Sequence, residues 1–417
     1  MNLIRLSLLF WINKPYSSVL NALLIAVPVA IFISVGVLKK QITKKLLKQT
    51  ENVDLILGAP GNPVQITMSG IFFIGNSTGT ISVGNARELV KNRAVRLAVP
   101  VILGDYYNGF RMIGTNNNYL DIHNAELRDG RIWNAQMEVV IGYTTARKLN
   151  IEVGDIISMD TKSNDNLSEG DIMFYQVVGV LEKTRTVLDK VILTSVESFW
   201  DINELVAESD LYEMDSLTLG KDKPYDIFPF DFPENSEESL SCVLIQYRSP
   251  MAALTYPKNV KREPGIQPVT PAIEILRLNG IINQVSNYFI VFAYILIGII
   301  GFSVVQYFKN MLKKHETDFA VFRATGCSRY KIIYLLLILA MLIADTGAFT
   351  GIIFGHISAH LVSGSLPFAR IAGITGWSFY GSEILVYLLV HLLTLLMASY
   401  SAIKVYQMDV KSILTTS

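Results

Sequence analysis

The sequence contains few cysteines and no phosphate-binding loop. Its 417 residues include only Cys242 and Cys327, which is too few for a disulfide framework. No Gly-x-x-x-x-Gly-Lys-Ser/Thr sequence occurs, so the chain lacks the Walker A loop that holds the phosphates of ATP. The glycine-containing stretches at 58–63 and 76–80 do not continue into that pattern, and we interpret both as turns. The formal net charge is zero, so charge alone indicates no class of partner.

Long apolar runs set the fold class. Residues 18–38 hold no charged side chain and are long enough, at about 1.5 Å per residue, to cross a hydrocarbon core of roughly 30 Å. Residues 288–308, 332–357 and 384–403 repeat this pattern. The first run is longer than the apolar region of a signal peptide, so we expect it to be retained. The sequence therefore predicts four transmembrane helices, one followed by three.

The stretch between the first two runs, residues 39–287, has the composition of a soluble domain. Short β-prone runs occur at 53–57, 139–141 and 174–182 and predict buried strands. Residues 147–154 are typical of a helix end followed by a turn. This alternation indicates a mixed α/β domain.

Both junctions of this domain with the apolar runs are predicted to be helical. Residues 41–49 continue the first run, and residues 271–285 lead into the second with apolar residues at helical spacing. Two such extensions would form a stalk that carries movement. The acidic, proline-interrupted stretch at 201–240 is predicted to be a surface excursion. The predicted fold class is an α-helical membrane protein with four transmembrane helices (1+3) and a large mixed α/β extracytoplasmic domain on a helical stalk.

The short loops predict the orientation, because cytoplasmic loops carry an excess of Lys and Arg. Six such residues lie between the second and third runs, against Arg370 alone between the third and fourth. The lysines at 39–48 favour the opposite orientation, but the long domain that follows weakens their influence. We therefore place segments 1–17, 309–331 and 404–417 in the cytoplasm, and segments 39–287 and 358–383 outside it.

The segment between the second and third runs carries a family motif. Residues 318–329 read Asp-Phe-Ala-Val-Phe-Arg-Ala-Thr-Gly-Cys-Ser-Arg. They resemble the Glu-Ile-Ala-x-Leu-Arg-Ala-x-Gly-Ala-x-Arg signature of the FtsX/MacB-like ABC transporter permeases. Asp318 replaces the usual glutamate, Thr325 an aliphatic residue and Cys327 an alanine. These departures concern the subfamily rather than the family.

Further motifs similar to those of this family follow in the family's order. They are Gly114-Thr115 with Tyr119, Gly130-Arg131, Val140-Ile141-Gly142, Val153-Gly154-Asp155, Val177-Val178-Gly179-Val180 and the tail from Tyr406 to Leu414, where Val410 replaces a proline. Together with the 1+3 pattern, the resemblance covers nearly the whole chain.

The resemblance implies the permease subunit of a bacterial ABC transporter in the inner membrane, with its large domain in the periplasm and no enzymatic activity of its own. A separate ATPase subunit would bind ATP and Mg²⁺, and the permease would pair with a second copy or a paralogue. Membrane lipid, a periplasmic adaptor and an outer-membrane channel are further candidate partners, and no nucleic acid is expected. Movement of the outer domain would export or extract an amphipathic, lipid-linked, lipoprotein or peptide cargo. The alternative is a non-transporting signaller that activates a periplasmic partner such as a cell-wall hydrolase.

Within the motif, six residues are expected to couple the chain to the ATPase. They are Asp318, Phe319, Phe322, Arg323, Gly326 and Arg329. The arginines would pair with acidic groups of the ATPase, and the phenylalanines would fill apolar pockets there. The alternative is an interfacial helix whose arginines meet lipid phosphates.

The third apolar run contains a glycine repeat and one carboxylate. Gly347, Gly351 and Gly355 recur every four residues, so one face of the helix allows another helix to approach closely. The expected partner is the second or fourth span of the same subunit, and a dimer mate is the alternative. Asp345 lies in mid-span, where a carboxylate costs on the order of 3 kcal/mol, so it should face protein or water. We prefer a polar clamp, to Thr346 or a neighbouring helix, over a role in proton or substrate movement.

Three histidines lie in or near the last two apolar runs. His356 and His360 are one helical turn apart at the outer end of the third run, and His391 is in the fourth run. Three imidazoles can ligate a metal ion or haem. In the sequence, however, no cysteine or acidic residue accompanies the pair. We therefore expect ordinary interfacial histidines, and no metal or cofactor in this chain.

Overall fold

The computed structural model describes residues 3–13, 15–160, 172–200, 238–315, 321, 323, 326–366, 369–370 and 372–406. Most of the predicted surface excursion and nearly all of the tail motif lie outside these residues. The chain divides into two compact units. The helical unit consists of residues 1–42, 281–366 and 374–417, and the sheet unit consists of residues 43–280 and 367–373.

Ten α-helices lie in the described residues. They are α1 (Leu3–Asn13), α2 (Pro15–Gln49), α3 (Pro63–Phe72), α4 (Val83–Val90), α5 (Asn118–Ile122), α6 (Tyr143–Leu149), α7 (Ala252–Val260), α8 (Pro271–Lys314), α9 (Arg329–Ser365) and α10 (Ser382–Tyr406). Of these, α2, α8, α9 and α10 are long and apolar enough to cross a membrane, which confirms the four predicted apolar helices. The stretches at 41–49 and 271–285 are helical, as predicted, because α2 and α8 run through them.

The centre of the helical unit is α9. Its Leu336, Leu339 and Ala340 side chains are fully buried, in one apolar core with side chains of α2, α8 and α10. Most large apolar side chains of α8, including Phe289 and Phe302, are exposed instead. Exposed apolar surface of this extent indicates a helix that faces lipid or another protein.

The first helix, α1, also packs on α9. The hydroxyl of Ser7 donates a hydrogen bond of 3.2 Å to the carbonyl of Leu335. Leu6 and Trp11 pack against the same apolar core. The short helix therefore belongs to the helical unit by its contacts as well as by its place in the chain.

The sheet unit is built on one mixed sheet. Its strands are β1 (Leu55–Gly58), β2 (Ile81–Ser82), β3 (Val95–Tyr107), β4 (Phe110–Thr115), β5 (Leu127–Gly130), β6 (Glu138–Ile141), β7 (Ile156–Asp160), β8 (Ile172–Leu181), β9 (Val191–Ser195), β10 (Ser239–Leu240), β11 (Cys242–Tyr247) and β12 (Gln267–Val269). The order is β12-β1-β11-β3-β4-β9-β6-β8-β5, with β7 paired to β8 and a separate β10-β2 pair. The β4–β9 and β6–β8 pairs are parallel and the others antiparallel. The predicted mixed α/β domain is confirmed.

Apolar cores pack around several strands in the described part of the sheet unit. One contains Leu55 and Leu57 of β1 with Tyr256 of α7, and another contains Val139 and Ile141 of β6 with residues of α6, β7 and β8. All four residues of β1 and of β6 are buried. Strands buried on both faces are continuous apolar runs in the sequence, and the strands predicted at 53–57 and 139–141 are confirmed as strands of this kind. The strand predicted at 174–182 is confirmed as β8, although Phe174 and Gln176 are exposed.

Motif glycines of the sheet unit mark places where backbone segments touch. A Cβ atom at Gly130 would overlap the carbonyl of Val178, and the φ of +82° there also favours glycine. A Cβ atom at Gly114 would lie 2.5 Å from the ring of Phe199. These motif positions therefore serve the fold of the domain.

The motif arginine of the sheet unit, Arg131, holds a loop through a carboxylate. Its Nη1 atom lies 2.7 Å from Oε2 of Glu138, which also accepts hydrogen bonds from the N–H groups of Asn134 and Ala135 at 2.8 and 3.2 Å. Burial raises the pKa of Glu138, but these donors outweigh it, so the pKa lies below its usual value. The carboxylate is therefore ionised at neutral pH and fixes the loop before β6.

Candidate functional site in the membrane helices

Only part of the predicted coupling motif belongs to the described residues. Three of its members lie outside them: Asp318, Phe319 and Phe322. The N–H of Gly326 donates a hydrogen bond of 3.1 Å to the carbonyl of Arg323, and Gly326 has a φ of +95°. The segment thus ends in a turn that favours glycine, and α9 begins at Arg329, the last residue of the motif. The contact of this motif with an ATPase stays a prediction.

The glycine repeat of α9 lies against α2. A Cβ atom added at each glycine would come within 2.7 Å of an α2 atom, a separation shorter than van der Waals contact. The neighbours are Ile25 for Gly347, Ala26 and Val29 for Gly351, and Ile33 for Gly355. We expected the second or fourth span as the partner, whereas the structure places the first span there. The spacing of the glycines shows that one face is bare, but it does not encode which helix fills it.

Asp345 joins α9 to α10. Its Oδ1 atom accepts a hydrogen bond from the hydroxyl of Tyr387 and lies 2.8 Å from Nε2 of His391. The hydroxyl of Thr346 instead donates to carbonyls of its own helix. Asp345 is 49% exposed at its side chain. Of the two clamp partners that we expected, the neighbouring helix is in contact with the carboxylate and Thr346 is not.

Both ring nitrogens of His391 have a polar neighbour. Nδ1 lies 2.8 Å from the carbonyl oxygen of Tyr387 on its own helix, and Nε2 contacts the carboxylate of Asp345 on α9. Together with the hydroxyl of Tyr387, the imidazole forms a polar clamp between the two helices.

We expect Asp345→Ala and Tyr387→Phe to be coupled by about 1 kcal/mol in a double-mutant cycle, because each removes the same interhelical hydrogen bond. The free energy of unfolding of the full chain in bicelles would measure this coupling. Thr346→Val is the matched control, since that hydroxyl contacts only its own helix. Additive effects of Asp345→Ala and Tyr387→Phe would show that the observed bond contributes nothing to helix association.

A second histidine–carboxylate pair joins the same two helices. Nε2 of His356 lies 3.0 Å from Oε2 of Glu383, and Nδ1 lies 2.6 Å from the carbonyl oxygen of Gly376. The two side chains are 2% and 10% exposed. The ring of Trp377 is stacked parallel to the imidazole, with centroids 6.4 Å apart. The loop before α10 is thus held on the C-terminal part of α9 by a buried polar contact.

The end of α2 that belongs to the helical unit contacts the same loop. Oε1 of Gln41 accepts a hydrogen bond of 3.1 Å from the N–H of Thr375, and its Nε2 donates to the carbonyl of that residue. The ammonium group of Lys40 donates to the hydroxyl of Ser382 at 2.9 Å and lies 4.9 Å from the ring centre of Tyr380. Three of the four long helices therefore meet at this loop.

The structure does not bring the three histidines together. His356 and His391 pair with different carboxylates, and His360 lies beside the ring of Trp377, with centroids 6.1 Å apart. In the part of the chain that the structure describes, no group of three His, Cys, Asp or Glu side chains could hold a metal ion. The expectation that no acidic residue accompanies the pair His356 and His360 is wrong for His356, because Glu383, distant in sequence, contacts its imidazole.

Sequence reasoning missed several contributors to this site, among them Gln41, Trp377, Glu383 and Tyr387. Glu383 occupies the first turn of α10, where the helix N-terminus favours a carboxylate without any further partner. Its position in the sequence therefore does not identify His356 as a contact.

Two family models match the chain. The model described as the MacB-like periplasmic core domain matches residues 18–214. The model described as the FtsX-like permease C-terminal domain matches residues 290–410. No curated protein matches the sequence.

Two solved structures share a distant likeness with the chain. The periplasmic region of MacB from Actinobacillus actinomycetemcomitans is 10% identical, with 56% of this chain and 97% of that chain covered and a TM-score of 0.34. The extracellular domain of the noncanonic ABC-type transporter YknZ from Gram-positive bacteria is 13% identical, with 52% and 99% covered and a TM-score of 0.29. Likenesses at these TM-scores carry no argument by themselves.

The two family models follow one another along the chain and agree with its architecture. The first covers α2 and most strands of the sheet unit, and the second covers most of α8 and all of α9 and α10. The motif at residues 318–329 lies within the second. The chain belongs to the FtsX/MacB-like ABC transporter permeases.

Proposed function

We propose that this chain is a permease whose periplasmic sheet unit is moved by ATP hydrolysis in a separate ATPase subunit. The movement exports or extracts an amphipathic, lipid-linked, lipoprotein or peptide cargo. The permease acts with a second copy or a paralogue, since one subunit supplies a single coupling segment. The chain itself hydrolyses no ATP, because its sequence lacks a phosphate-binding loop.

The observation that carries this proposal is the continuity of two helices. The helices α2 and α8 contain 35 and 44 residues without a break. At about 1.5 Å per residue these helices are about 52 and 66 Å long, whereas a hydrocarbon core is roughly 30 Å thick. Each helix includes residues of both units, so a displacement of its apolar part is passed along hydrogen-bonded backbone.

Contacts between α2 and α8 support the proposal. In the sheet unit the hydroxyl of Thr43 donates to Oδ1 of Asn279 at 2.7 Å. In the helical unit the rings of Phe32 and Tyr294 pack edge to face, with centroids 5.2 Å apart. Because the helices touch at two separate levels, they are able to move as a pair.

The packing of α9 supports a route from the coupling motif to this pair. α9 begins at Arg329, the last residue of the motif, and its glycine face touches α2 along three successive turns. A push on the start of α9 would therefore act on α2 through backbone contacts, which yield less than long side chains. In the alternative function, the same movement activates a periplasmic hydrolase without moving a cargo.

The test is a break in α8 at Gly280. A proline there removes one backbone hydrogen bond and bends the helix, whereas an alanine keeps the helix and meets open space. With the ATPase subunit present, ATP should change the hydrogen exchange of the sheet unit in wild type and in Gly280→Ala. In Gly280→Pro, ATP hydrolysis should continue without that change. An unaltered response in Gly280→Pro would contradict transmission through α8.

A further inference from the structure

Cationic side chains from three separate elements converge in the sheet unit. Lys45 lies on α2, Lys148 on α6, and Lys190 ends the 3₁₀ turn Val187–Lys190. The helix α6 packs on that turn, where the hydroxyl of Thr145 donates to the carbonyl of Asp189 at 3.5 Å. Lys45 and Lys190 contact the same loop, at Gly373 and Arg370, and Lys148 lies near enough to Lys190 for its charge to act on that ammonium group.

Backbone contacts hold two of these lysines in place. The ammonium of Lys45 donates to the carbonyl of Gly373, and the ammonium of Lys190 donates to the carbonyl of Arg370. Both carbonyls belong to residues 367–373, which are part of the sheet unit. An ammonium group has three donor hydrogens, so Lys45 can contact this loop and bind a second group at the same time. Lys148 is exposed and can turn towards the same ligand.

The electrostatic surroundings of the lysines favour an anion. Burial, with the charges of Lys148 and Lys45, lowers the pKa of Lys190 to about 8, and Asp189 only partly opposes this. The carboxylate of Asp189 is engaged elsewhere: it accepts hydrogen bonds from the N–H and hydroxyl of Thr184 and from the N–H of Arg185, at 2.8 to 2.9 Å. Mutual repulsion between the ammonium groups would be relieved by an anion bound between them.

The place of Lys45 in α2 fits a ligand at the membrane surface. Lys45 is seven residues beyond the last residue of the first apolar run, Leu38. Along a continuous helix this corresponds to about 10 Å, a few ångströms beyond a headgroup layer that is roughly 5 to 8 Å thick on each face. A lysine side chain is long enough to reach back to the phosphate groups of that layer, and basic residues are the side chains that bind them.

We propose that Lys45, Lys148 and Lys190 form a binding site for a phosphate group carried by an anionic lipid headgroup. The site recognises the polar end of a lipid or lipid-linked molecule outside the hydrocarbon core. The inference rests on the proposed function for the periplasmic placement of the sheet unit, whereas the binding itself needs no ATPase subunit. If phosphate did not bind, the proposed transmission through α8 would still stand. If transmission through α8 failed its test, phosphate binding could still be observed.

The experiment measures binding to the full chain in non-ionic detergent by titration calorimetry. The probes are dihexanoyl phosphatidylglycerol, which is soluble and carries a headgroup phosphate, and inorganic phosphate. Lys148→Glu should weaken phosphatidylglycerol binding at least about tenfold, because it replaces a cation by an anion. Lys45→Gln should weaken it less, and both variants should keep the wild-type melting temperature. Lys258→Glu, the same change on the exposed face of α7, should bind as wild type does.

The two probes distinguish the source of the phosphate. Tight phosphatidylglycerol binding with weak inorganic phosphate binding supports a lipid headgroup site. Equal binding of both probes, with the same loss in Lys148→Glu, supports the phosphate site and assigns it to a free anion. Absence of binding by both probes, or an equal loss in Lys148→Glu and Lys258→Glu, would overturn the proposal.

Discussion

Gly351→Leu should strongly destabilise the helical unit. A Cβ atom at this position would lie 2.7 Å from the carbonyl oxygen of Ala26 and from the Cβ of Val29, and a leucine adds three further carbons. Overpacking a core against side chains costs about 1 to 3 kcal/mol, occasionally more, and here a backbone oxygen is one of the obstacles. Since domains are stable by only about 5 to 15 kcal/mol, a loss of this size should lower both the yield and the melting temperature.

Yield of monodisperse protein and its melting temperature in detergent would measure this effect. Gly364→Leu is the matched control, because it lies in the same helix and its Cβ would meet open space. That control should be at least as stable as wild type, since leucine favours helix by up to about 1 kcal/mol over glycine. If Gly351→Leu gave wild-type yield and melting temperature, close contact of α9 with α2 would not hold in solution.

Arg323→Glu should dissociate the permease from its ATPase subunit. Loss of a desolvated charge partner at an interface costs about 2 to 5 kcal/mol, which weakens a complex by roughly 30-fold to several thousand-fold. Phe322→Ala should also weaken the complex with the ATPase subunit, because aromatic anchors contribute much of the binding energy of an interface. Membrane insertion should be unaffected, as the segment lies outside the apolar runs.

Co-purification of the ATPase and the stimulated rate of ATP hydrolysis would measure this loss. Lys313→Glu is the control, since it makes the same charge change at an exposed position near the end of α8 and outside the motif. The chain purified alone should hydrolyse no ATP. Normal complex formation in both Arg323→Glu and Phe322→Ala would identify the segment as a lipid-surface helix without a coupling role.

The elements that the sequence predicted best are those set by local composition. An apolar run long enough to cross a membrane is recognisable without knowledge of its neighbours, so all four long helices were found. The strand at 139–141 was found because both of its faces are buried, and the strand at 174–182 was found because it is rich in aromatic and β-branched residues. The parallel pairing of β6 with β8 could not be predicted from the sequence, because it depends on contacts between distant segments.

The candidate site was predicted only in part, because its contacts join residues far apart in the chain. The spacing of Gly347, Gly351 and Gly355 indicated a bare helix face, yet many apolar helices can fill such a face. His356 was read as a histidine without an acidic neighbour, although Glu383 lies 27 positions further on. The sequence indicated Asp345, His356 and His391 as single polar residues of the apolar runs. Their contacts across the two helices could not be predicted, because these contacts depend on the antiparallel packing of α9 and α10.

The packing of α9 on α2 has a consequence for the synthesis of the protein. The complementary face of α2, with Ile25, Val29 and Ile33, leaves the ribosome long before α9 exists. Between Gln49 and Ser365, translation at about 5–20 residues per second takes roughly 15 to 60 s. During this interval the first membrane helix has no glycine face to pack against, so lipid or the insertion machinery must cover it. The final packing of α2 must therefore follow the synthesis of α9.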